Sequence, residues 1–562
     1  MKPNRKTIVI GILSGFLLLI GEMFYFRDVL FSGNMMGLGS DAILINMILE
    51  HWFEFFKGEA PFADLRAFWP AVGTLGYTDM LLVPGVVYSL IRFMGVDLFI
   101  APNMTFIIIH FAGIIVLYKT FRKLGCSQLI SFIGLFFSLW SCSFTQLSYH
   151  TQFFCMGIVP IFLWAVIHLY RNIHGRFSER LPWAVVATCS VGLSFLSAYY
   201  PAYFMVIVAL VAALVFCVIG GKKRIKLILG YIRENIRELL LYSFFQIFWI
   251  IPFLYIYLPV LGQSGGYNYA SSWVYAPELY DILRTRSNAP IEDALASVLP
   301  SFLPEGVISL LANRIMETSY GWPVLTFVLF SVMMIILLFR KKEDIEEQAV
   351  FSLGLSILMI FCITCRYGEF LPWFYIGKIL PGASSIRSLG RYMGICTPFL
   401  AIFLCLNIKK FICVTVKKIE TLKKICLVIL GAIILFVNQS PRYARGDISE
   451  LKDRLQQVSQ PPQECKVFFI CPGNVESYSI YEENMFAWLI ADRFNCYTLN
   501  GYSGNKPLNW ELWEQDLRDY YTGIQNWIAI NHLEDYEGIY GYISNENIWV
   551  PYSELNIIIG DS

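Results

Sequence analysis

Charged residues are scarce in this chain of 562 residues, since Asp, Glu, Lys and Arg together make up only 15% of it. An average soluble domain carries about 25%. The formal net charge of +1 provides no surplus of basic residues to bind a nucleic-acid backbone. Apolar residues account for 56% of the chain and aromatic residues for 16%. This composition excludes a water-soluble globule, a disordered chain and a small disulfide scaffold, and it predicts a membrane protein.

Motifs for metal and disulfide chemistry are also scarce. No HExxH zinc motif occurs. Most of the 14 cysteines fall in apolar runs or close to them, where cysteine behaves as a small apolar residue. The segment after residue 440 contains three, namely Cys465, Cys471 and Cys496, and an odd number predicts no complete disulfide framework.

Long apolar runs divide residues 1–439 into eleven predicted transmembrane helices. The first, residues 7–26, follows a basic N-terminus and lacks a small-residue cleavage site, so we predict an uncleaved span. A shorter run at 79–95 is broken by Pro84-Gly85, which predicts a re-entrant or interfacial segment. The other ten runs lie at 99–121, 128–146, 153–170, 182–198, 201–219, 238–258, 321–339, 348–365, 391–408 and 425–438.

The distribution of Lys and Arg predicts the orientation of these spans. Eleven spans put the basic loops on one side, so the N-terminus is expected inside and the C-terminal segment outside the plasma membrane. The basic loops lie at 122–123, 171–180, 222–226, 340–342 and 409–424. Three outer regions, 27–98, 259–320 and 366–390, are then too long to be simple connections.

Residues 440–562 are predicted as a small α/β domain outside the membrane. Strands are expected at 466–471 and 538–543, and helices at 482–493 and 508–533. This segment holds 8 basic and 18 acidic residues, which leaves 35 basic and 24 acidic residues in the rest of the chain. The near-zero total therefore conceals a basic membrane region joined to an acidic outer domain.

The first outer loop offers two candidate catalytic acids. Asp41 begins a predicted helix that ends near Lys57. It stabilises the helix N-terminus, or it is a general base or a metal ligand at the outer membrane surface. Asp79 directly precedes the re-entrant segment. Asn46, Glu50, Glu54 and Lys57 form one polar stripe along the helix, which is typical of a helix lying in the membrane interface.

Basic residues on the outer side break the inside bias that the other loops follow. Arg387 and Arg391 are four residues apart, so their guanidinium groups share one face at the start of a span. Two planar donors there suit a lipid-linked phosphate, or else they contact lipid headgroups. Arg366 is a third outer arginine and a further candidate for substrate binding. His150, at the outer junction of two spans, is a structural histidine or a binding residue.

Three segments carry a resemblance to a known family. They are Gly58-Glu-Ala-Pro-Phe62 after the helix that Asp41 heads, Pro381-Gly-Ala-Ser-Ser-Ile-Arg-Ser-Leu-Gly-Arg391 before a late span, and Asn500-Gly-Tyr-Ser-Gly-Asn-Lys-Pro507. Together with the order of spans and loops, they resemble polytopic C-type (GT-C) membrane glycosyltransferases. The bacterial YfhO-like branch is the most similar. The resemblance covers most of the chain in architecture but only these short stretches in sequence.

The resemblance implies transfer of a sugar from a polyprenyl-phosphate donor to an extracytoplasmic glycan, glycolipid or protein acceptor, with inversion. Asp41 matches the family's first-loop acid, and Arg387 and Arg391 match its phosphate-binding pair. Asn46 stands where the family often has Gln, and it is a further candidate for substrate binding. Some members use a divalent cation, so Mg or Mn bound by Asp41 and Asp79 stays open. The alternatives are a flippase for a lipid-linked saccharide and a non-catalytic scaffold of an envelope-polymer assembly.

Overall fold

The computed structural model describes residues 5–30, 34–37, 39–264, 266–284, 316–340, 342, 344–415, 428–434, 445–446, 448–472, 479–513 and 516–559. Helices dominate these residues, as the apolar runs predict. In the membrane region the α-helices are Arg5–Tyr25, Arg27–Leu30, Gly39–Lys57, Leu82–Phe93, Ala101–Lys123, Gln128–Phe136, Cys142–Leu147, Val159–Arg171, Phe177–Phe195, Tyr199–Glu234, Ile236–Ser264, Tyr269–Val274, Val324–Phe339, Ile345–Thr364, Pro372–Gly377, Tyr392–Ile395 and Thr397–Thr415.

Short 3₁₀ turns join several of these helices and place polar residues beside them. They span Thr74–Tyr77, Thr151–Ile158, Leu279–Leu283, Met316–Thr318, Ala383–Ser385 and Leu389–Arg391. The long helix that begins at Tyr199 is interrupted at Gly221, whose backbone has a φ of 61°. Glycine adopts this conformation without the steric cost that a side chain imposes, and the basic residues 222–226 follow immediately.

The predicted fold class, an α-helical membrane protein with a small α/β domain, is confirmed. Five described helices are long and apolar enough to cross a membrane, or six if one pair bent by 42° counts as a single span. The count of eleven is therefore not confirmed. The run at 128–146 is split into two short helices. The segment at 79–95 forms one helix of 12 residues, Leu82–Phe93, which is too short to span. Residues 425–427 and 435–438 of the last run lie outside the described residues, as do residues 285–315 of the second outer region.

The described part of residues 440–562 contains a four-stranded sheet, whose strands lie in the order Tyr497–Thr498, Val467–Cys471, Ile539–Ile543 and Ile548–Pro551. Strand β3 (Val467–Cys471) runs parallel to β4 (Tyr497–Thr498) and to β5 (Ile539–Ile543), and β6 (Ile548–Pro551) is antiparallel to β5. A separate pair joins β1 (Met35–Met36) to β2 (Arg445–Gly446). The helices are Ile448–Gln457, Ile480–Phe494, Leu517–Ile530 and Tyr552–Ile559. Strands 466–471 and 538–543 and helix 482–493 agree with prediction. Helix 508–533 proves shorter, and β4 and β6 were not foreseen.

Three of the four polar-stripe residues of helix Gly39–Lys57 are buried inside the protein, and only Lys57 at its end is exposed, which is not the pattern expected of an interfacial helix. Glu50 and Glu54 are 5% and 7% exposed. Glu50 accepts hydrogen bonds from Arg92 at 2.9 Å, and Glu54 accepts from Arg66 at 2.8 and 3.1 Å. Each acid therefore has a cationic partner that offsets the cost of burial, so the helix packs inside the protein.

The loop predicted as the first outer region, residues 27–98, is joined to the C-terminal domain by backbone hydrogen bonds. Phe68 donates its N–H to the Asn500 carbonyl at 2.9 Å, Trp69 donates to Thr498 at 3.0 Å, and Thr498 donates to Arg66 at 2.9 Å. Residues 66–69 thereby extend the ladder beyond the edge strand β4. This joint brings the loop that follows β4 toward Asp41.

Candidate active site

A cavity of about 470 Å³ lies where the loop within residues 27–98, the start of helix Tyr199–Glu234, the segment before Tyr392 and the C-terminal domain meet. Part of its lining is apolar, with Phe195, Phe253, Leu254, Leu258 and Leu261. Another part is polar and aromatic, with Asp41, Asp79, His150, Gln152, Tyr199, Tyr200, Tyr203, Tyr257, Tyr267, Ser385, Arg387, Ser388, Arg391 and Asn505. Of the predicted site residues, Asp41, Asp79, His150, Arg387 and Arg391 all line it.

Asp41 and His150 contact each other in the polar part of the lining. Asp41 stands in the first turn of helix Gly39–Lys57, and His150 directly precedes the 3₁₀ turn Thr151–Ile158. Asp41 Oδ2 lies 2.8 Å from His150 Nδ1. The Asp41 side chain is 35% exposed, whereas that of His150 is 7% exposed. His150 therefore fixes the carboxylate from the protein side, and the carboxylate stays accessible to a ligand.

Glu317 continues the network on the far side of the imidazole. Its Oε1 atom lies 3.1 Å from His150 Nε2. Arg391 donates Nε to Glu317 Oε2 at 2.8 Å and Nη2 to Oε1 at 2.9 Å. Ser388 donates its hydroxyl to the same Oε2 at 2.6 Å. The bidentate pair fixes the plane of the Arg391 guanidinium, so Asp41, His150, Glu317 and Arg391 form one connected array.

The electrostatics of this array favour the charged form of each member. Burial raises the pKa of Asp41, but the hydrogen bond and charge of His150, with Arg391 and Tyr502, bring it below the usual value. Burial and Arg391 lower the pKa of His150, yet Asp41 and Glu317 raise it overall. Burial opposes ionisation of Glu317 as well, but Arg391 and His150 hold its pKa well below the usual range. The two carboxylates thus favour the protonated form of the His150 imidazole that lies between them.

Asp79 is the second acid of the cavity and differs from Asp41 in its environment. Its Oδ1 atom accepts a hydrogen bond from the backbone N–H of Tyr199 at 2.8 Å. Burial raises the pKa of Asp79 to about 6, and the Tyr199 N–H and Arg391 limit the rise. Asp79 therefore changes its protonation state close to neutral pH, a property suited to proton transfer.

Arg387 is the cation of the cavity without an acidic partner among the described residues. Its guanidinium lies 5.4 Å from the ring centre of Tyr267 and 4.9 Å from that of Tyr275. The Tyr200 hydroxyl accepts the backbone N–H groups of Arg387 and Ser388 at 2.9 and 3.1 Å. The backbone is thereby held while the charged group stays available for an anion.

Arg366 and Asn46 are not among the residues that line the cavity. Arg366 pairs with Glu278 at 2.8 Å and lies over the Trp273 ring at 4.3 Å. Asn46 is fully buried, and its side-chain amide has no hydrogen-bond partner among the described residues. A role in substrate binding stays a prediction for both residues.

No group of three or more His, Cys, Asp or Glu side chains suited to a metal ion occurs within the described ranges. Asp41 already has His150 and Tyr502 as hydrogen-bond partners, and Asp79 has the Tyr199 N–H. These two acids alone form an incomplete ligand set for Mg, which prefers six oxygen ligands. Metal dependence stays an open prediction.

Two residues of the site were missed by sequence reasoning. Glu317 lies four residues before the predicted span 321–339, and an acid beside a span is the same signal that singled out Asp41. Tyr502 donates its hydroxyl to Asp41 Oδ1 at 3.3 Å. Its segment was noted through the family resemblance, but nothing in the local sequence predicts a contact with a residue 461 positions away.

No protein-family model matches the chain, and the comparison with curated proteins finds no match. Among solved structures, the chain is similar to two crystal structures of ArnT from Cupriavidus metallidurans. The apo structure is 12% identical, with a TM-score of 0.34 over 87% of this chain and 86% of that chain. The structure bound to undecaprenyl phosphate is 12% identical, with a TM-score of 0.36 over 87% of this chain and 85% of that chain.

Proposed function

We propose that this chain is a membrane glycosyltransferase that moves a sugar from a polyprenyl-phosphate donor to a hydroxyl group of an extracytoplasmic acceptor. The observation that carries the proposal is the content of one cavity. It combines an accessible carboxylate, Asp41, with an arginine, Arg387, that has no acidic partner among the described residues. The first group suits an attacking hydroxyl and the second suits a leaving phosphate. The family resemblance of the sequence supports the same reaction.

The donor fits the cavity in two parts. A phosphodiester needs cationic donors, and Arg387 supplies one that is not neutralised nearby. Arg391 is held by Glu317 but still contributes its charge to the same wall. The isoprenoid chain needs an apolar surface, which the part of the lining formed by Phe195, Phe253 and Leu254 offers next to the candidate spans. A lipid-linked phosphate thus finds both environments within one cavity.

The reaction is a single displacement. Asp41 orients the acceptor hydroxyl, whose oxygen attacks the anomeric carbon as the bond from that carbon to the phosphate oxygen breaks. The electron pair leaves with polyprenyl phosphate, and Arg387 and Arg391 stabilise the developing charge. The hydroxyl proton passes to Asp41, or to Asp79, whose pKa of about 6 is closer to neutral pH. One displacement inverts the anomeric configuration.

Donor cleavage separates this function from transport of an intact lipid-linked saccharide. Purified full-length protein in lipid nanodiscs is incubated with a panel of radiolabelled polyprenyl-phosphate sugars and an envelope fraction as acceptor. We expect acceptor-dependent release of polyprenyl phosphate that Asp41→Asn abolishes. Asp535→Asn is the matched control, because Asp535 is exposed in the C-terminal domain and does not line the cavity. Full transfer by Asp41→Asn at equal protein amount would overturn the proposal.

A further inference from the structure

The C-terminal domain supplies part of the cavity wall. Gly504 and Asn505 line the cavity beside residues of the membrane region. The half-buried side chain of Tyr502 donates its hydroxyl to Asp41 Oδ1 at 3.3 Å. The candidate base thus contacts a side chain of a domain that sequence reasoning treats as a separate unit.

The loop that carries Tyr502 is anchored in the core of its own domain by Asn500. This side chain is fully buried. Its amide Nδ2 donates to Asn484 Oδ1 at 2.7 Å and to the Tyr520 hydroxyl at 2.8 Å. Its Oδ1 accepts the backbone N–H of Ile470 at 2.9 Å. A buried amide with these partners defines the direction in which the chain leaves the sheet.

The same loop is fitted closely to the membrane region. A Cβ atom at Gly501 would lie 2.4 Å from the Phe68 ring, so only glycine permits this approach. Asn505 donates its backbone N–H to the Tyr77 carbonyl at 3.3 Å. The Tyr267 hydroxyl donates to the Gly504 carbonyl at 3.3 Å. Tyr502 therefore sits on a segment held at both ends.

We propose that the C-terminal domain completes the catalytic centre and that Tyr502 is a positioning residue for Asp41. His150 holds Oδ2 of the carboxylate and Tyr502 holds Oδ1, so the carboxylate is fixed in one orientation. The remaining lone pairs on its two oxygens serve the acceptor hydroxyl. This inference rests on the proposed function and adds a residue from the second domain to it.

The test compares Tyr502→Phe with wild type in the full-length protein. The variant keeps the ring and removes only the hydrogen bond to Asp41. We expect acceptor-dependent transfer to fall about tenfold, as for loss of one hydrogen bond to a charged group. The Tyr502 hydrogen bond favours the ionised form of Asp41. Its removal therefore raises the pKa of Asp41, and the acid limb of the pH–rate profile moves to higher pH. Binding of undecaprenyl phosphate stays unchanged.

Tyr481→Phe is the matched control. The ring centres of Tyr481 and Tyr502 lie 6.1 Å apart, and Tyr481 is 41% exposed. The variant is expected to keep the wild-type rate and profile. Gly501→Ala tests the docking of the loop, because its methyl group collides with Phe68. We expect it to lower transfer while undecaprenyl phosphate still binds.

The outcomes separate the two proposals. An unmoved acid limb in Tyr502→Phe, together with loss of transfer in Asp41→Asn, overturns the positioning role and leaves the transferase standing. Full transfer by Asp41→Asn overturns the proposed function and, with it, the role of Tyr502. A shifted limb with retained lipid binding supports the inference, because a purely structural role would not move a pH profile.

Discussion

Two histidines in this molecule bond to carboxylates, and their surroundings differ. His110 is fully buried, with Nδ1 at 2.6 Å from Glu22 and Nε2 at 3.0 Å from the Leu139 carbonyl. The other Glu22 oxygen accepts the Trp140 indole N–H at 2.9 Å. His150 bonds two carboxylates and lines a cavity. The first array has its partners inside the protein, whereas the second leaves Asp41 accessible. Under the proposed function, we therefore expect a structural role for His110 and a role in the reaction for His150.

The largest difference is expected when each histidine is replaced by alanine. His150→Ala removes the hydrogen-bond partner that orients Asp41 and favours its ionised form, so we expect transfer to fall by about two orders of magnitude. His110→Ala should leave the turnover of the folded protein near the wild-type value. Initial transfer rates of both variants test this prediction. Each rate is divided by the amount of folded protein, which is measured by size-exclusion chromatography. Equal losses in the two variants would erase the distinction between the arrays.

The arginines allow a second comparison of the same kind. Arg387 has no acidic partner among the described residues and lines the cavity, whereas Arg366 pairs with Glu278 at 2.8 Å outside the cavity lining. Arg387→Ala should raise the donor KM about 10- to 100-fold, the effect of losing one charge-assisted contact. Arg366→Ala should leave it unchanged. A titration of both variants with the donor measures the two KM values. A raised KM in Arg366→Ala alone would assign phosphate binding to Arg366 instead of Arg387.

The third comparison concerns stability, which we expect to depend on the array around His110. Glu22→Gln replaces the hydrogen-bonded acid between His110 and Trp140 with an amide that supplies only one acceptor oxygen. We expect about 1–3 kcal/mol less stability, the usual cost of a buried donor left without a partner. Thermal unfolding in detergent measures it, and rates of the folded fraction should not change. An intact melting temperature with lost transfer would place Glu22 in the reaction instead.

The smallest expected effect concerns Asp79. Its folded pKa of about 6 exceeds the unfolded value of about 3.9. The folded protein therefore binds more protons between these values, and ionisation of Asp79 costs stability as pH rises through that window. Asp79→Asn should match wild type below pH ~4 and melt a few degrees higher above pH ~6. The same difference in melting temperature between variant and wild type at every pH would show that the pKa of Asp79 is not raised.

Part of the site could be predicted from the sequence because charge next to an apolar run is a local signal. Asp41, Arg387 and Arg391 each stand at the edge of such a run, and all three line the cavity. Glu317 carries the same signal but lies in a region without a recognised motif. Composition predicted the fold class but not the number of spans. The run at 128–146, for example, is as apolar as one span, yet it is broken at 137–141 into two short helices.

The remaining features depend on contacts between distant segments. Glu50 and Glu54 look like a polar face until Arg92 and Arg66 are brought against them. Tyr502 reaches Asp41 through contacts between distant segments, among them the pairing of residues 66–69 with the backbone at Thr498 and Asn500. Such pairing depends on tertiary packing, which hydrophobic periodicity does not encode.

The most direct test of the central claim is a single-turnover measurement with donor-loaded protein in nanodiscs. Wild type and Asp41→Asn, each preloaded with a radiolabelled polyprenyl-phosphate sugar, are mixed with the acceptor fraction. We predict that wild type releases polyprenyl phosphate in step with labelled product and that Asp41→Asn retains the donor intact. Equal release by the two proteins, or recovery of uncleaved donor from wild type, would contradict a catalytic role for the Asp41–His150 array.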